Sequence, residues 1–488
     1  MTRSTRHCQP IIGIVGAVSA GNPLAASAAG ATLAAGGNAL DAAITAQAVI
    51  CVTMPQAAGL GGDMLALVHL DGTTTAFNGT GLSPAIQPNT YETDGGSSAV
   101  VPGIVDAWMI AHRDFGHLPL PQVLAPAIRI AAEGFPLDAA LARTVVDQRE
   151  RITRFGAAQW ALLGLEEGDM WCQPELAELL SAISDQGRSA FYAGAAASAI
   201  AAAAAAHGGT LSTADLDTHT TEVLPPVHTA WAGGRLNVQP PSTQGTILAM
   251  AAQWLDQSEG VTAANLQHVL VEVTEAAFAH RDSAGRGDAL LAEALYVDLE
   301  RAQHRGGPRA YLHTAGVAVA DSNGMVVSSL VSVFDDFGSG VFVPELGLVL
   351  NNRAGGFTSG ENSPGPSKRP IHTLAPALLE QENGDVLALA TPGADGQVQT
   401  LLQVLARMRF TDEPLDAAIA APRWRSQNGE LLIEAGHASS EDLAQRGHRI
   451  AERRSGDDLF GAVVAAGTSR GLPYAASDWR RNTTTGAE

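Results

Sequence analysis

The chain has 488 residues, 46% hydrophobic and 16% charged, a globular composition with material for two to three domains or one large intertwined one. Its net charge of −21 repels phosphate backbones and anionic bilayers, so neither nucleic acid nor a membrane is an expected partner, although a local cationic pocket for a small acid stays compatible. Three cysteines, Cys8, Cys51 and Cys172, form no disulfide framework and no zinc spacing, which suits a reducing compartment.

The first residues, MTRSTRHCQPIIGIVGAVSAGN, lack a long apolar region followed by a cleavage site, so a cytoplasmic protein is expected. Residues 22–51 predict two short helices, with Gly36-Gly37-Asn38 stopping the first and capping the second. The stretch AAGLGGDMLALVHLDGTTTAFN predicts a glycine turn leading into a hairpin that turns at Asp71-Gly72. Residues 103–215 are expected to be mostly helical, with an alanine-rich helix around 193–206. The alanine tract 199–206 is too short to span a bilayer. Residues 263–282 show the i, i+3, i+4 spacing of an amphipathic helix, and 283–313, around QHRGGPRA, look irregular and linker-like. From residue 314 the pattern changes. Strands are expected at 314–320, 325–333, 340–350 and 386–391, helices at 396–408 and 412–420, and a polar tail at 470–488. The chain thus divides into a helix-rich part, 1–313, and a strand-led part, 314–488.

No HExxH, GxSxG or Walker motif occurs, GLGGDM lacks the third glycine of a dinucleotide loop, and the fourteen histidines are scattered. No metal or organic cofactor is expected. Thr314 stands at the lip of the hairpin AYLHTAGVAVADSNGMVVSSLVSV, residues 310–333, which turns at Asp321-Ser322-Asn323-Gly324. A threonine hydroxyl is a poor nucleophile without a base. A cut between His313 and Thr314 would supply one, because the new α-amine, with a pKa of about 7.7–8.0, would sit beside the hydroxyl and take its proton. Most threonines at strand starts are structural, so on spacing alone both readings stay open.

The blocks around Thr314 add to this. They are NPLAASAAGATLAAGGNALDAAI, AGLGGDMLALV, VPGIVDAW, FGHLPLPQVLAPAIRIAAEGFPL, FYAGAAASAIAAA, QPPSTQGTILA, FGSGVFVPELGLVLNNR, KRPIHTLAPAL, TPGADGQVQT and DEPLDAAIAAPRW. In order and spacing, from about residue 14 to 426, the chain resembles the γ-glutamyltranspeptidases and their relatives, which are self-cleaving N-terminal-nucleophile hydrolases. The resemblance implies an αββα sandwich of two stacked sheets, formed by both halves of a self-cleaved precursor that stay associated. It implies Thr314 as nucleophile, and Ser332 where the family has a threonine that bonds the nucleophile. It implies Gly393 and Ala394 as the pair whose N–H groups receive the oxyanion.

The departures from the family pattern concern the substrate. Ala315-Gly316 follow the nucleophile, where glutathione-cleaving members tend to carry threonine and histidine. Thr80 stands in place of their carboxylate-binding arginine, Gly355 in place of their ammonium-binding acid, and Phe334 in place of an asparagine contact. His372-Thr373 replace a serine pair. Asp335 or Asp336 would be the remaining candidates for a negative partner. Arg353, with RPIHT, resembles the oxamate-hydrolase-like branch, which implies Arg353, His372 and Thr373 as substrate-binding residues and a small carboxylate-bearing amide or acyl substrate. The alternatives are a γ-glutamyl hydrolase or transferase, a carbon–carbon hydrolase removing an oxalyl group, and an uncleaved scaffold.

Overall fold

The computed structural model describes residues 9–305, 307–308 and 314–488. Two seven-stranded sheets lie face to face. The first runs, in spatial order, Thr484–Ala487, Gly16–Ala20, Ala315–Asp321, Val326–Ser332, Asp63–Leu70, Thr73–Asn78 and Glu222–Leu224. The second runs Ile11–Ile12, Leu472–Ser477, Val464–Ser469, Val386–Ala390, Ala377–Glu380, Gly234–Val238 and Val227–Trp231. Every pairing in both sheets is antiparallel.

Alternate residues of each strand point between the sheets. There Ala318, Ala320, Leu330 and Leu65 meet Leu378, Ala388, Ala390 and Val464. The small side chains that dominate this chain let the two sheets approach closely. The outer face of the first sheet is covered by the helices Pro23–Ala34 and Ala39–Thr53, and that of the second by Gly245–Gln257, Leu266–Phe278 and Gly396–Phe410. The layers are therefore α, β, β, α. Strands from before residue 306 and from after residue 313 interleave in both sheets, so neither part of the chain has a core of its own.

Asn38 caps the helix Ala39–Thr53 in a reciprocal box with Asp41, and every residue of that helix is buried. The Asp71-Gly72 turn has φ of +49° and +73°, the paired left-handed geometry of a tight hairpin turn, as its sequence predicts. Asp321 organises the turn after the strand Ala315–Asp321. Its Oδ1 accepts from the Asn323 and Met325 amides, while its Oδ2 accepts from Ala39, joining the hairpin to the helix.

Three expected elements differ. Residues 340–350 form two short strands, Phe342–Val343 and Leu348–Val349, because Pro344 and the left-handed Gly347 turn the chain between them. The start of the supposed linker at 283–313 is ordered: Arg281–Ala292 makes 3₁₀ turns that bury Ala284 and Leu290. The supposed polar tail is structural. Leu472–Ser477 lies inside the second sheet and Thr484–Ala487 edges the first, while Arg480 is buried on Glu434 and Asp478. These strands are short and their apolar residues are mostly alanine, which hides them among polar neighbours. Among the described residues no helix is long and apolar enough to cross a membrane.

Candidate active site

Thr314 immediately precedes the strand Ala315–Asp321. Ala315 pairs with Val331, so one step further in the same register brings Thr314 beside Ser332. Ser332 in turn faces Asp63 on the next strand. All three share the parity of the residues that point between the sheets, so their side chains enter one space at one end of the sandwich. Thr314 is buried, and the Ser332 hydroxyl accepts the Phe334 amide at 2.9 Å. His313 lies outside the described residues. Gly316 has a steric reason: a Cβ there would meet Val464 Cγ2 at 2.8 Å, so the close approach of the second sheet excludes a side chain.

The second sheet brings two loops to the same end. Its strand Val386–Ala390 runs out into Thr391-Pro392-Gly393-Ala394-Asp395, and its strand Ala377–Glu380 is preceded by His372-Thr373-Leu374. Gln244 ties the loops together, its amide donating to the carbonyls of Thr373 and, at 2.8 Å, of Ala394. Gly393 and Ala394 have φ of +130° and +48°. Their carbonyls accept from Gly396 and Gln397 at the start of the next helix, whereas neither N–H has a partner among the described residues. Two successive free N–H groups in such a bend can receive an anion. Alanine in the left-handed region is strained, so Ala394→Gly should raise stability by about 1 kcal/mol with the N–H retained. An unchanged or lowered urea midpoint would contradict this.

Asp63 joins the sheets. Its Oδ2 accepts from Arg353 Nε at 2.9 Å and from His372 Nε2 at 3.1 Å, its Oδ1 accepts the Gly81 amide at 3.2 Å, and all three side chains are fully buried. Burial pushes the Asp63 carboxyl upward, but the His372 hydrogen bond and the Arg353 charge outweigh it and hold the group below its ordinary value. Leu374 donates its amide to His372 Nδ1 at 3.0 Å, which places the ring proton on Nε2. Burial and the Arg353 charge push His372 down to about 4, so the ring is neutral with both nitrogens engaged.

Arg353 is different. Its Nε is committed to Asp63, but among the described residues Nη1 and Nη2 are buried without a hydrogen-bond partner, and so is the Thr80 hydroxyl. The guanidinium stacks on the Phe334 ring, with Cζ 4.5 Å from the centroid. Phe334 has a φ of +86°, an outlier for a bulky residue. A Cβ at Gly355 would come within 3.0 Å of that ring, so Phe334 fills the space an acidic side chain at 355 would need. Asp335 accepts from Asn352 Nδ2 at 2.9 Å.

A cleft of about 510 Å³ opens beside Thr314, lined also by Asn22, Gln56, Asp336 and Arg481. Burial raises Asp336 to about 7. Arg353, His372 and Thr373 are buried and do not line this cleft. The fold therefore sets Thr314 beside Ser332, Gly393 beside Ala394, and Arg353 with His372 on Asp63. Asp63 escaped sequence reading, although a carboxylate opening the apolar strand DMLALV was a visible signal.

Burial pushes the buried histidines His219 and His437 down to about 4, as it does His372. A folded value below the unfolded one means that the unfolded chain takes protons first. Stability should fall as pH drops from about 6.5 toward 4, with between about two and three protons bound on unfolding at pH 5 from these groups. Urea midpoints that stay flat across this window would contradict the assignment.

The γ-glutamyltranspeptidase family model matches residues 25–487. The glutathione hydrolase-like YwrD proenzyme of Bacillus subtilis is 31% identical, covering 93% of this chain and 95% of that protein. The oxamate amidohydrolase proenzyme of Klebsiella pneumoniae is 30% identical over 87% and 86%. The crystal structure of cephalosporin acylase from Bacillus halodurans superposes with a TM-score of 0.87 at 25% identity, covering 100% of this chain and 98% of that one. The chain belongs to the γ-glutamyltranspeptidase family, with the fold of N-terminal-nucleophile hydrolases, and is an enzyme of its hydrolase and acylase kind.

Proposed function

We propose that this member of the family is a self-processing threonine hydrolase that acts, through an acyl-enzyme, on a small amide or acyl compound carrying a carboxylate. The observation that carries the reading is Arg353, whose buried guanidinium has two Nη atoms without a partner among the described residues. Since Arg353 does not line the cleft beside Thr314, the reading requires that cleft to deepen toward Asp63 when substrate binds. A planar carboxylate matches that fork and would satisfy both donors, whereas leaving them unmet is unfavourable. A relative named for oxamate, whose carboxylate adjoins its amide, supports the same class.

In maturation, the Thr314 hydroxyl attacks the carbonyl carbon of His313. The C–N bond breaks as the ester forms, which frees the Thr314 amine, and water then hydrolyses the ester to release the His313 carboxylate and the Thr314 hydroxyl. Relatives named as proenzymes support this step. In turnover that amine, with a pKa of about 7.7–8.0, takes the hydroxyl proton while Oγ adds to the substrate carbonyl. The developing oxyanion is received by the Gly393 and Ala394 N–H groups. The amine then passes its proton to the leaving nitrogen, and water releases the acid. Ser332, next in register, holds the nucleophile. His372 is no general base, since both of its nitrogens are engaged. Two products, 1–313 and 314–488, would stay together because their strands interleave.

A γ-glutamyl group fits poorly: the NNRAGGF segment has no carboxylate for its ammonium, and Phe334 fills the space beside Gly355. Steady-state assays with oxamate and with a γ-glutamyl anilide test this. Oxamate should be favoured in kcat/KM by on the order of 100-fold. A preference for the γ-glutamyl compound would overturn the substrate class, and inactivity of both in a chain that stays whole would overturn the mechanism.

A further inference from the structure

A second polar cluster lies on the far side of the helix layer over the second sheet. His268 and Glu272 stand one turn apart on the helix Leu266–Phe278, and His448 comes from the loop before the strand Ile450–Arg453. Their ligand atoms all lie within 4.8 Å of one another. We propose that His268 Nδ1, His448 Nε2 and a Glu272 carboxylate oxygen form a binding site for a divalent cation of the zinc type, with water in the fourth position.

The geometry around His268 points the right way. The Asp298 carbonyl accepts from His268 Nε2 at 3.0 Å, which fixes the proton there and turns the Nδ1 lone pair inward. A carbonyl behind the outer nitrogen is what orients a metal-binding imidazole. His448 Nε2 donates to that lone pair at 2.8 Å, so the His448 proton must move to Nδ1 when a cation takes its place. Zinc bonds of about 2.0–2.1 Å in a tetrahedron need the two nitrogens about 3.3 Å apart. The rings must therefore separate by roughly half an ångström, a shift that falls on His448 because it sits on a half-buried loop rather than on the helix.

Glu272 is buried and already positioned. Its Oε1 accepts the Gln303 amide at 3.0 Å and its Oε2 accepts Arg305 Nη1 at 2.9 Å. A carboxylate oxygen has a second lone pair, so Glu272 can ligate and still keep both partners. Two neutral imidazoles and a carboxylate form a donor set that zinc takes readily. The nearby Arg446 is turned away, donating to the Leu299 carbonyl and to Asp442. Because Glu272 also anchors Gln303 and Arg305, a bound cation would brace the stretch that leads toward Thr314.

The test is zinc titration of chelator-treated full-length protein by calorimetry, with cobalt as a spectroscopic probe. Wild type should bind one zinc per chain, show the visible bands of four-coordinate cobalt, and gain a few degrees in Tm with zinc. His448→Ala, at a partly exposed position, should weaken zinc binding at least 100-fold and abolish the cobalt bands. Glu272→Gln, which preserves volume, should weaken it at least tenfold. No zinc bound by the wild type, or equal binding in wild type and His448→Ala, would overturn the site. Octahedral cobalt spectra would do the same.

Discussion

Replacing Thr314 with alanine should leave one undivided 488-residue chain and lower turnover by on the order of 10⁴-fold or more. The reason is that one hydroxyl serves twice. In the proposed mechanism it attacks the His313 carbonyl during maturation, and later the substrate. Without it there is neither an ester to hydrolyse nor a free α-amine to act as base. Intact-mass measurement reads the first role directly. Wild type should divide at 313/314, and Thr314→Ala should not. Thr314→Ser keeps a hydroxyl in the same register and should divide more slowly. If Thr314 were only a buried strand-start residue, alanine would be tolerated and the mass pattern would not change. Division in Thr314→Ala would remove this residue from the mechanism.

The second large effect is expected at Asp63. Asp63→Asn keeps the shape but removes the charge that faces Arg353 and accepts from His372. A buried guanidinium left without its counter-charge costs about 3–5 kcal/mol, which should appear as a fall of several degrees in Tm. Since folding holds the Asp63 carboxyl below its ordinary value, its contribution is present above about pH 4 and disappears as pH falls through the folded value. The gap between wild type and Asp63→Asn should therefore close in acid. Adding Arg353→Met should recover part of the loss, because the two side chains share one interaction. Equal stability of wild type and Asp63→Asn at pH 7 would show that the carboxylate carries no such load.

Much of the fold was legible because it rests on local signals. Gly36-Gly37-Asn38 announced a helix stop and start, Asp71-Gly72 a tight turn, and the alternation after Thr314 a buried hairpin. The last strands were not legible. Leu472–Ser477 and Thr484–Ala487 take their strand character from neighbours far away in sequence, so a window of the chain could not reveal them. The candidate site divides along the same line. Gly393-Ala394 and Thr314 carried family-like patterns, but the partner of Arg353 did not. Arg353 and Asp63 are 290 positions apart, and only the docking of Asn351 on the Gly61 carbonyl, just before the Asp63 strand, brings them to 2.9 Å.

By itself the sequence pointed to the family and its α/β sandwich, and it marked Thr80, Phe334 and Gly355 as expected departures from the glutathione-cleaving pattern. It could not say whether those departures were scattered losses or one rearrangement. The tertiary structure decided that, because packing is a property of side chains that meet. Phe334 occupies the space Gly355 leaves and stacks on Arg353, while Arg353 and His372 share Asp63. Phe334, Gly355, Arg353 and His372 thus form one packed unit joined through Asp63.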